Sequence, residues 1–319
     1  MGVLPDFRLN SGECAYIPTG GALPEGSDAV AMLEQTEAYP GRTIAVSSPV
    51  TPGKNVVPAG DDIRAGQELL HSGIRLSSRE IGMLYAAGVP EVPVSRQLRI
   101  TVFSTGDELV PADGPARSGQ IRDINGPMLV SMCRKLGAQT SFGGILPDKE
   151  SVFFSSLSDA VNRSDLVLLS GGSSAGKADL TERYMLQSGK LLFHGLSVKP
   201  GKPTLAADIR STPVIGLPGH PAAAYFIFLV LVRDLIASMT GETVIRRTLP
   251  CTLSQAVPSN HGREELIPVR ILNGSAFPVI SKSALISVLS GTDGYLTIPA
   301  GTEGLSAGQA VTITLWEDL

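Results

Sequence analysis

Between residues 97 and 241 short apolar runs alternate with helical patterns so regularly that few architectures accommodate them. Residues 98–103 read as a strand, 128–136 as a helix stopped by Gly137, 141–146 as a short strand and 149–162 as a helix. Then come a buried strand at 166–169, a helix at 180–187 and strands at 191–198 and 214–217, the last feeding a helix from Pro221 to Met239. A parallel strand needs a crossover before the next, so this order predicts an α/β domain built on a doubly wound, mostly parallel sheet. Such a sheet presents its ligand crevice at the carboxyl ends of its strands. Three glycine-proline loops fall there: Ser170-Gly171-Gly172-Ser173-Ser174-Ala175-Gly176-Lys177-Ala178-Asp179, Lys199-Pro200-Gly201-Lys202-Pro203 and Gly216-Leu217-Pro218-Gly219-His220-Pro221.

Glycine lets backbone N–H groups approach an anion, and lysine adds fixed positive charge, so these loops predict a site for a phosphorylated small molecule. In the first loop Ser173 and Ser174 offer hydroxyls, and Asp179 either caps the following helix or holds a metal ion. Its glycine spacing matches neither the Walker loop nor the dinucleotide fingerprint. Lys199 and Lys202 are stiffened by their prolines and are candidates to neutralise a phosphate, the alternative being a solvated turn. Glu108, Asp148 and the Asp61-Asp62 pair also follow strand ends or glycine turns. Carboxylates so placed bind Mg²⁺ through oxygen, although each taken singly also reads as a helix cap or turn residue.

The flanks read differently. Residues 1–60 look β-rich, with strands expected at 12–17, 29–33 and 42–46. Residues 61–96 form a linker that carries a helix opening at Ser77-Ser78-Arg79-Glu80, the α/β domain covers 97–241, and 245–319 returns to short strands and turns that suggest a small β-barrel or sandwich. The net charge of −4 gives no basic field for a nucleic-acid partner. Cys14, Cys133 and Cys251 show no CxxC spacing, so neither structural zinc nor a disulfide framework is expected, and a reducing cytoplasmic setting fits. The chain opens without a charged-then-apolar leader, which predicts no secretory signal. The most apolar stretch, 222–232, is too short to span a bilayer and reads as a buried helix rather than a membrane segment.

Six stretches together resemble the molybdopterin molybdotransferase family (bacterial MoeA and the gephyrin and Cnx1 E domains). They are Pro18-Thr19-Gly20-Gly21-Ala22-Leu23-Pro24-Glu25-Gly26-Ser27-Asp28-Ala29-Val30, Ser104-Thr105-Gly106-Asp107-Glu108-Leu109, Gly119-Gln120-Ile121-Arg122-Asp123-Ile124-Asn125, and the three loops above. The resemblance implies a β-rich domain, a dimerisation domain, a molybdopterin-binding α/β domain and a C-terminal β domain. It implies a homodimer that takes adenylylated molybdopterin, supplied by a molybdopterin adenylyltransferase, and inserts molybdate with Mg²⁺- or Zn²⁺-linked release of AMP. On matching positions it implies catalytic roles for Asp62, Glu108, Asp148, Asp179 and Lys199, with Asp148 and Asp179 toward the metal. It implies binding roles for Gly171, Gly172, Ser173, Ser174, Gly176, Lys202, Pro218, Gly219, Arg263 and Ser283.

Four departures stand out. The family's Ser/Thr-x-x-Asp-Gly-Tyr-Ala stretch is not found, which implies a short dimerisation domain. Val57-Pro58-Ala59 replaces an Arg-Arg pair before Gly60-Asp61-Asp62, and Gly195 replaces a lysine. In the loops, Gly172-Ser173-Ser174-Ala175-Gly176 replaces Gly-Val-Ser-Val-Gly, and His220 replaces an asparagine. The lost cations are each worth about 1 kcal/mol or less where exposed. Their absence leaves pterin binding better preserved than molybdate insertion, so a catalytically weakened molybdopterin-binding carrier or sensor is the alternative to a transferase.

Overall fold

The structure, a computed structural model, describes residues 2–171, 180–259, 262–280 and 285–316. It divides into two units, one of Met1–His71 with Ser78–Pro90, the other of Ser72–Ser77 with Glu91–Leu319. In the first unit β1 (Thr36–Tyr39) and β2 (Thr43–Val46) form an antiparallel hairpin, and α1 (Ser78–Ala86) is the main helix. The strands expected at 12–17 and 29–33 are absent: both stretches run without ladder partners.

In the second unit the alternating pattern becomes β3 (Arg99–Thr105), the short pair β4 (Leu109–Val110) and β5 (Ile121–Arg122), α2 (Asn125–Lys135), β6 (Gln139–Leu146), α3 (Glu150–Arg163) and β7 (Leu166–Ser170). There follow α4 (Leu180–Ser188), β8 (Lys190–His194), β9 (Val198–Lys199), β10 (Leu205–Ile209) and β11 (Thr212–Leu217). The chain then runs through α5 (Pro221–Ile227), a π turn at Phe228–Val232 and α6 (Arg233–Thr240). The six-stranded sheet has the order β6-β3-β7-β11-β10-β8, with β6, β3, β7 and β11 parallel and the β10 and β8 pairings antiparallel.

Both faces of this sheet are buried, as a parallel sheet requires. Ile100, Val102, Leu166, Leu168 and Leu217 face α2 and the α5–α6 helix, whereas Phe103, Val167 and Leu169 face Phe153 and Leu157 of α3 and Tyr184 of α4. The alternation along β3 and β7 is the period of two that a strand imposes. The helix spanning Pro221–Thr240 runs for 20 residues, so length does not set it apart from a membrane span as expected from 222–232. Burial does: Phe226, Ile227, Phe228, Leu229 and Val232 all lie in the sheet's core.

The last part comprises β12 (Thr248–Leu253), β13 (Val257–Pro258), β14 (Glu264–Leu272), β15 (Ser275–Pro278), α7 (Ser287–Ser290), β16 (Gly294–Ile298), β17 (Gly304–Leu305) and β18 (Ala310–Leu315). Strands β15, β12, β18, β16 and β14 pair in turn, and β14 pairs back to β15, closing a five-stranded barrel around Leu253, Val269, Leu296 and Ile313. Strand β9 leaves the α/β layer and adds to this barrel beside β14 in parallel, with Glu265 opposite Lys199. The expected single strand at 191–198 is therefore two strands in two sheets.

Candidate functional site

Chain order reverses between β3 and β7: β6 lies on one side of β3, β11 on the other side of β7. The carboxyl ends of these two strands are where a doubly wound sheet opens a crevice. A cleft of about 1680 Å³ is found there. Its wall includes Thr105 at the end of β3, Asp148 after β6, Ser170 at the end of β7 with Gly171 after it, and Pro218 to Ala223 after β11. Lys199 to Pro203 and the barrel residues Ser259, Arg263 and Glu265 complete it.

The Gly119–Asn125 motif stitches the strand ends together. Asp123 Oδ1 accepts from Ser104 Oγ (2.8 Å) and from the Gly126 amide (3.1 Å), which also caps the start of α2. Asn125 Nδ2 donates to Ser170 Oγ (2.7 Å) and to the Gly219 carbonyl (2.8 Å). Ser170 Oγ in turn donates to the Pro218 carbonyl (3.3 Å). The ends of β3, β7 and β11 are thus bound by side chains of one loop, which gives the cleft a fixed floor.

Of the residues singled out in the sequence, Glu108, Asp148, Gly171, Lys199, Lys202, Pro218, Gly219 and Arg263 share this one cleft. Asp62 lies exposed in the first unit. Gly172, Ser173, Ser174, Gly176, Asp179 and Ser283 lie outside the described residues.

Two residues behave differently from expectation. Gly171 does not offer its amide to an anion: the N–H donates to the Leu217 carbonyl at 3.3 Å. Its φ of +106° and the Thr105 carbonyl oxygen standing where a Cβ would go make it a close-packing glycine. Lys199 is not a bare cation: its Nζ lies 2.8 Å from Glu265 Oε1, whose side chain is 7% exposed against 55% for the lysine. Among the described residues no ion pair of Lys202 or Arg263 is present, and both are exposed. Sequence reasoning missed Glu265. A signal was present, a glutamate running directly into the apolar Leu266-Ile267 of a strand, but its partner lies 66 positions away.

Elsewhere on the cleft partial desolvation, then the charges of Asp107 and Glu108, hold the Asp148 carboxyl above its ordinary range. The Asp148 amide donates to Asp107 Oδ1 at 3.0 Å. Among the described residues, Thr105 Oγ1, Asp123 Oδ2, Asn125 Oδ1 and Ser259 Oγ are buried without a hydrogen-bond partner behind the cleft-lining residues, as is Gln35 Oε1 elsewhere.

Three family descriptions match the chain in order: the MoeA N-terminal region (domain I and II) over residues 1–88, a probable molybdopterin binding domain over 101–238, and the MoeA C-terminal region (domain IV) over 250–316. A Haemophilus influenzae protein named molybdopterin molybdenumtransferase is 38% identical over 226 residues, which are 71% of this chain and 56% of that protein. The chain therefore spans little more than half the length of that relative. A Staphylococcus epidermidis protein of the same name is 28% identical over 99% of this chain and 77% of its own length. The crystal structure of a molybdopterin biosynthesis MoeA protein from Pyrococcus horikoshii superposes with a TM-score of 0.81 at 34% identity, covering 100% of this chain and 79% of that one.

Proposed function

Because the chain belongs to the MoeA family, we propose that its cleft binds molybdopterin in adenylylated form and that the protein inserts molybdate into it with release of AMP. The observation that carries this reading is a cleft of about 1680 Å³ at the sheet's reversal point that holds the exposed Lys202 and Arg263. Lys202 and Arg263 supply positive charge for phosphate or molybdate oxygens, and Leu109, Ile124 and Ile280 give the cleft apolar lining that suits a ring.

Among the described residues no group of three metal-ligating side chains is present. Asp148 and Glu108 line the cleft, and oxygen donors of this kind suit a hard divalent cation. Asp148 and Asp179, the latter outside the described residues, are the carboxylates that would hold Mg²⁺. The ion would supply charge neutralisation at the adenylate phosphate. A homodimeric state, hand-over from a molybdopterin adenylyltransferase and a cytoplasmic setting belong to the same reading and rest on family membership.

The compensated Lys199 favours a second reading, a molybdopterin carrier or sensor in which the anion-binding charge is too weak for insertion. Release of AMP from adenylylated molybdopterin, measured with molybdate and Mg²⁺ over a single turnover, separates the two. Stoichiometric AMP supports the transferase. Retained pterin with no AMP leaves the carrier.

A further inference from the structure

A second hollow, of about 940 Å³, adjoins the cleft and shares Gly106, Leu109 and Asp123 with it. One wall is a single face of α2, where Pro127, Val130, Ser131 and Arg134 follow the three- and four-residue spacing that lines side chains up along a helix. Another is β6, the edge strand of the sheet, through Phe142. Phe142 is 45% exposed, yet its ring is braced: it lies against Gly126 at the start of α2, in space that a Cβ there would fill. An aromatic held in place and still half open is a platform on which a flat ring stacks. Arg134 is exposed, and its guanidinium is anchored where Nη2 donates to the Thr140 carbonyl at 3.2 Å. Asp107, also exposed and lining the hollow, carries the opposite charge, with Oδ1 accepting from the Asp148 amide at 3.0 Å.

The polar groups of this hollow are therefore mixed: Arg134 donates, the Asp107 carboxylate accepts, and the Ser131 hydroxyl does either. The carboxylate repels a free anion, whereas a neutral heteroaromatic ring with accepting ring nitrogens and a donating amino group suits all three. Lys202 and Arg263 line the main cleft and not this hollow. We infer that the hollow is a nucleobase subsite, which takes the adenine of the adenylylated ligand against Phe142 while the phosphates stay with the cations of the cleft. The inference rests on the proposed function and deepens it: adenylylation puts a second flat ring beyond the phosphates, and the two joined hollows give each ring a place.

The test is calorimetric titration of the full chain with AMP, with ribose 5-phosphate, which lacks the base, and with 6-phosphomethyl pterin. The wild-type protein is expected to bind AMP at least about fivefold more tightly than ribose 5-phosphate, the usual contribution of one base stacked on an aromatic side chain. Phe142→Ala should bring those two to within about twofold, with ribose 5-phosphate and the pterin unchanged, and Phe142→Tyr, which keeps a ring, should restore the preference. Ser131→Phe, at an exposed position of α2, fills the hollow from the other wall and should abolish the preference in the same way, which covers a failure of Phe142→Ala to fold. Pterin binding with no wild-type preference for AMP, or a preference that survives both variants, overturns the subsite and leaves the proposed function standing. Pterin affinity that falls in Phe142→Ala and returns with tyrosine assigns the hollow to the pterin and overturns the adenine subsite. A preference that tyrosine does not restore reports a structural role for Phe142 and overturns it too. Binding of neither the pterin nor AMP to the wild-type protein removes the subsite together with the function on which it rests.

Discussion

Replacing Lys199 with alanine strands the Glu265 carboxylate, 7% exposed, without the ammonium that lies 2.8 Å away. A hydrogen bond to a charged group contributes about 1.5–3 kcal/mol, and its loss costs most when the remaining partner stays buried. Because Lys199 is 55% exposed and partly screened by water, about 2 kcal/mol is the expected cost of Lys199→Ala. Glu265→Gln removes the buried charge and keeps an acceptor, and the released lysine rehydrates, so about 1 kcal/mol is expected. The double variant has no stranded charge and should also lose about 1 kcal/mol, where independent effects would sum to about 3. Urea titrations followed by circular dichroism, with equal slopes checked across the four proteins, read these differences directly. Additivity within about 0.5 kcal/mol would refute the coupling and return Lys199 to the role of a free cation. The cycle also bears on function: activity that falls in Lys199→Ala and recovers in the double variant reports stability, whereas activity lost in both reports the ammonium itself.

Other outcomes follow from the same structure. Asp165 accepts two bonds from Arg96 (2.6 and 2.8 Å) and one from the Arg99 amide (2.7 Å), and the Arg96 bond is the main reason its carboxyl sits far below the usual range. Its folded pKa is lower than its unfolded one, so its stabilisation is present above about pH 4 and disappears on acidification. Asp165→Asn should be less stable by about 2 kcal/mol at pH 7, and a gap that fails to narrow in titrations toward pH 3 would contradict this. Gly171→Ala should lose at least about 2 kcal/mol or fail to fold, since its backbone is left-handed and the Thr105 carbonyl occupies the added methyl's place; an unchanged melting curve would refute the packing role. Burial pushes the Cys133 thiol up to about 12 and raises Cys251, whereas Cys14 is exposed. One thiol should therefore react rapidly with a disulfide reagent at pH 8 in native protein, and two fast thiols would show that a buried one is accessible.

The α/β layer was legible because its signals are local. Apolar runs with both faces buried, helices closed by Gly137 and Gly241, and loops at strand ends all appear within short windows of sequence. Strand β10 escaped because its hairpin to β11 turns on Arg210-Ser211, both at positive φ (54° and 66°), a geometry usually announced by Asn-Gly or Gly. The break between β8 and β9 was hidden for a different reason. Gly195, at φ +94°, turns the chain, and its amide and that of Leu196 bond to Thr204 and Lys202 in a loop that no periodicity reveals. At the site, glycine loops and charged residues were readable as types. Glu265 and the unmet atoms of Asp123 and Asn125 were not, since register across two sheets and the accounting of donors exist only in three dimensions.

The chain's one tryptophan sits at a junction. Trp316 meets Tyr225 edge-on and Phe226 of α5 and Tyr295 of β16 at a tilt, with ring centroids 5.4–5.7 Å apart, and its indole N–H donates to Thr292 Oγ1 at 3.0 Å. Its fluorescence is thus a built-in optical gauge of how firmly the barrel is seated on the helical layer. Ligands that tighten the cleft and solvents that loosen it can be followed by emission colour alone, without attaching a dye.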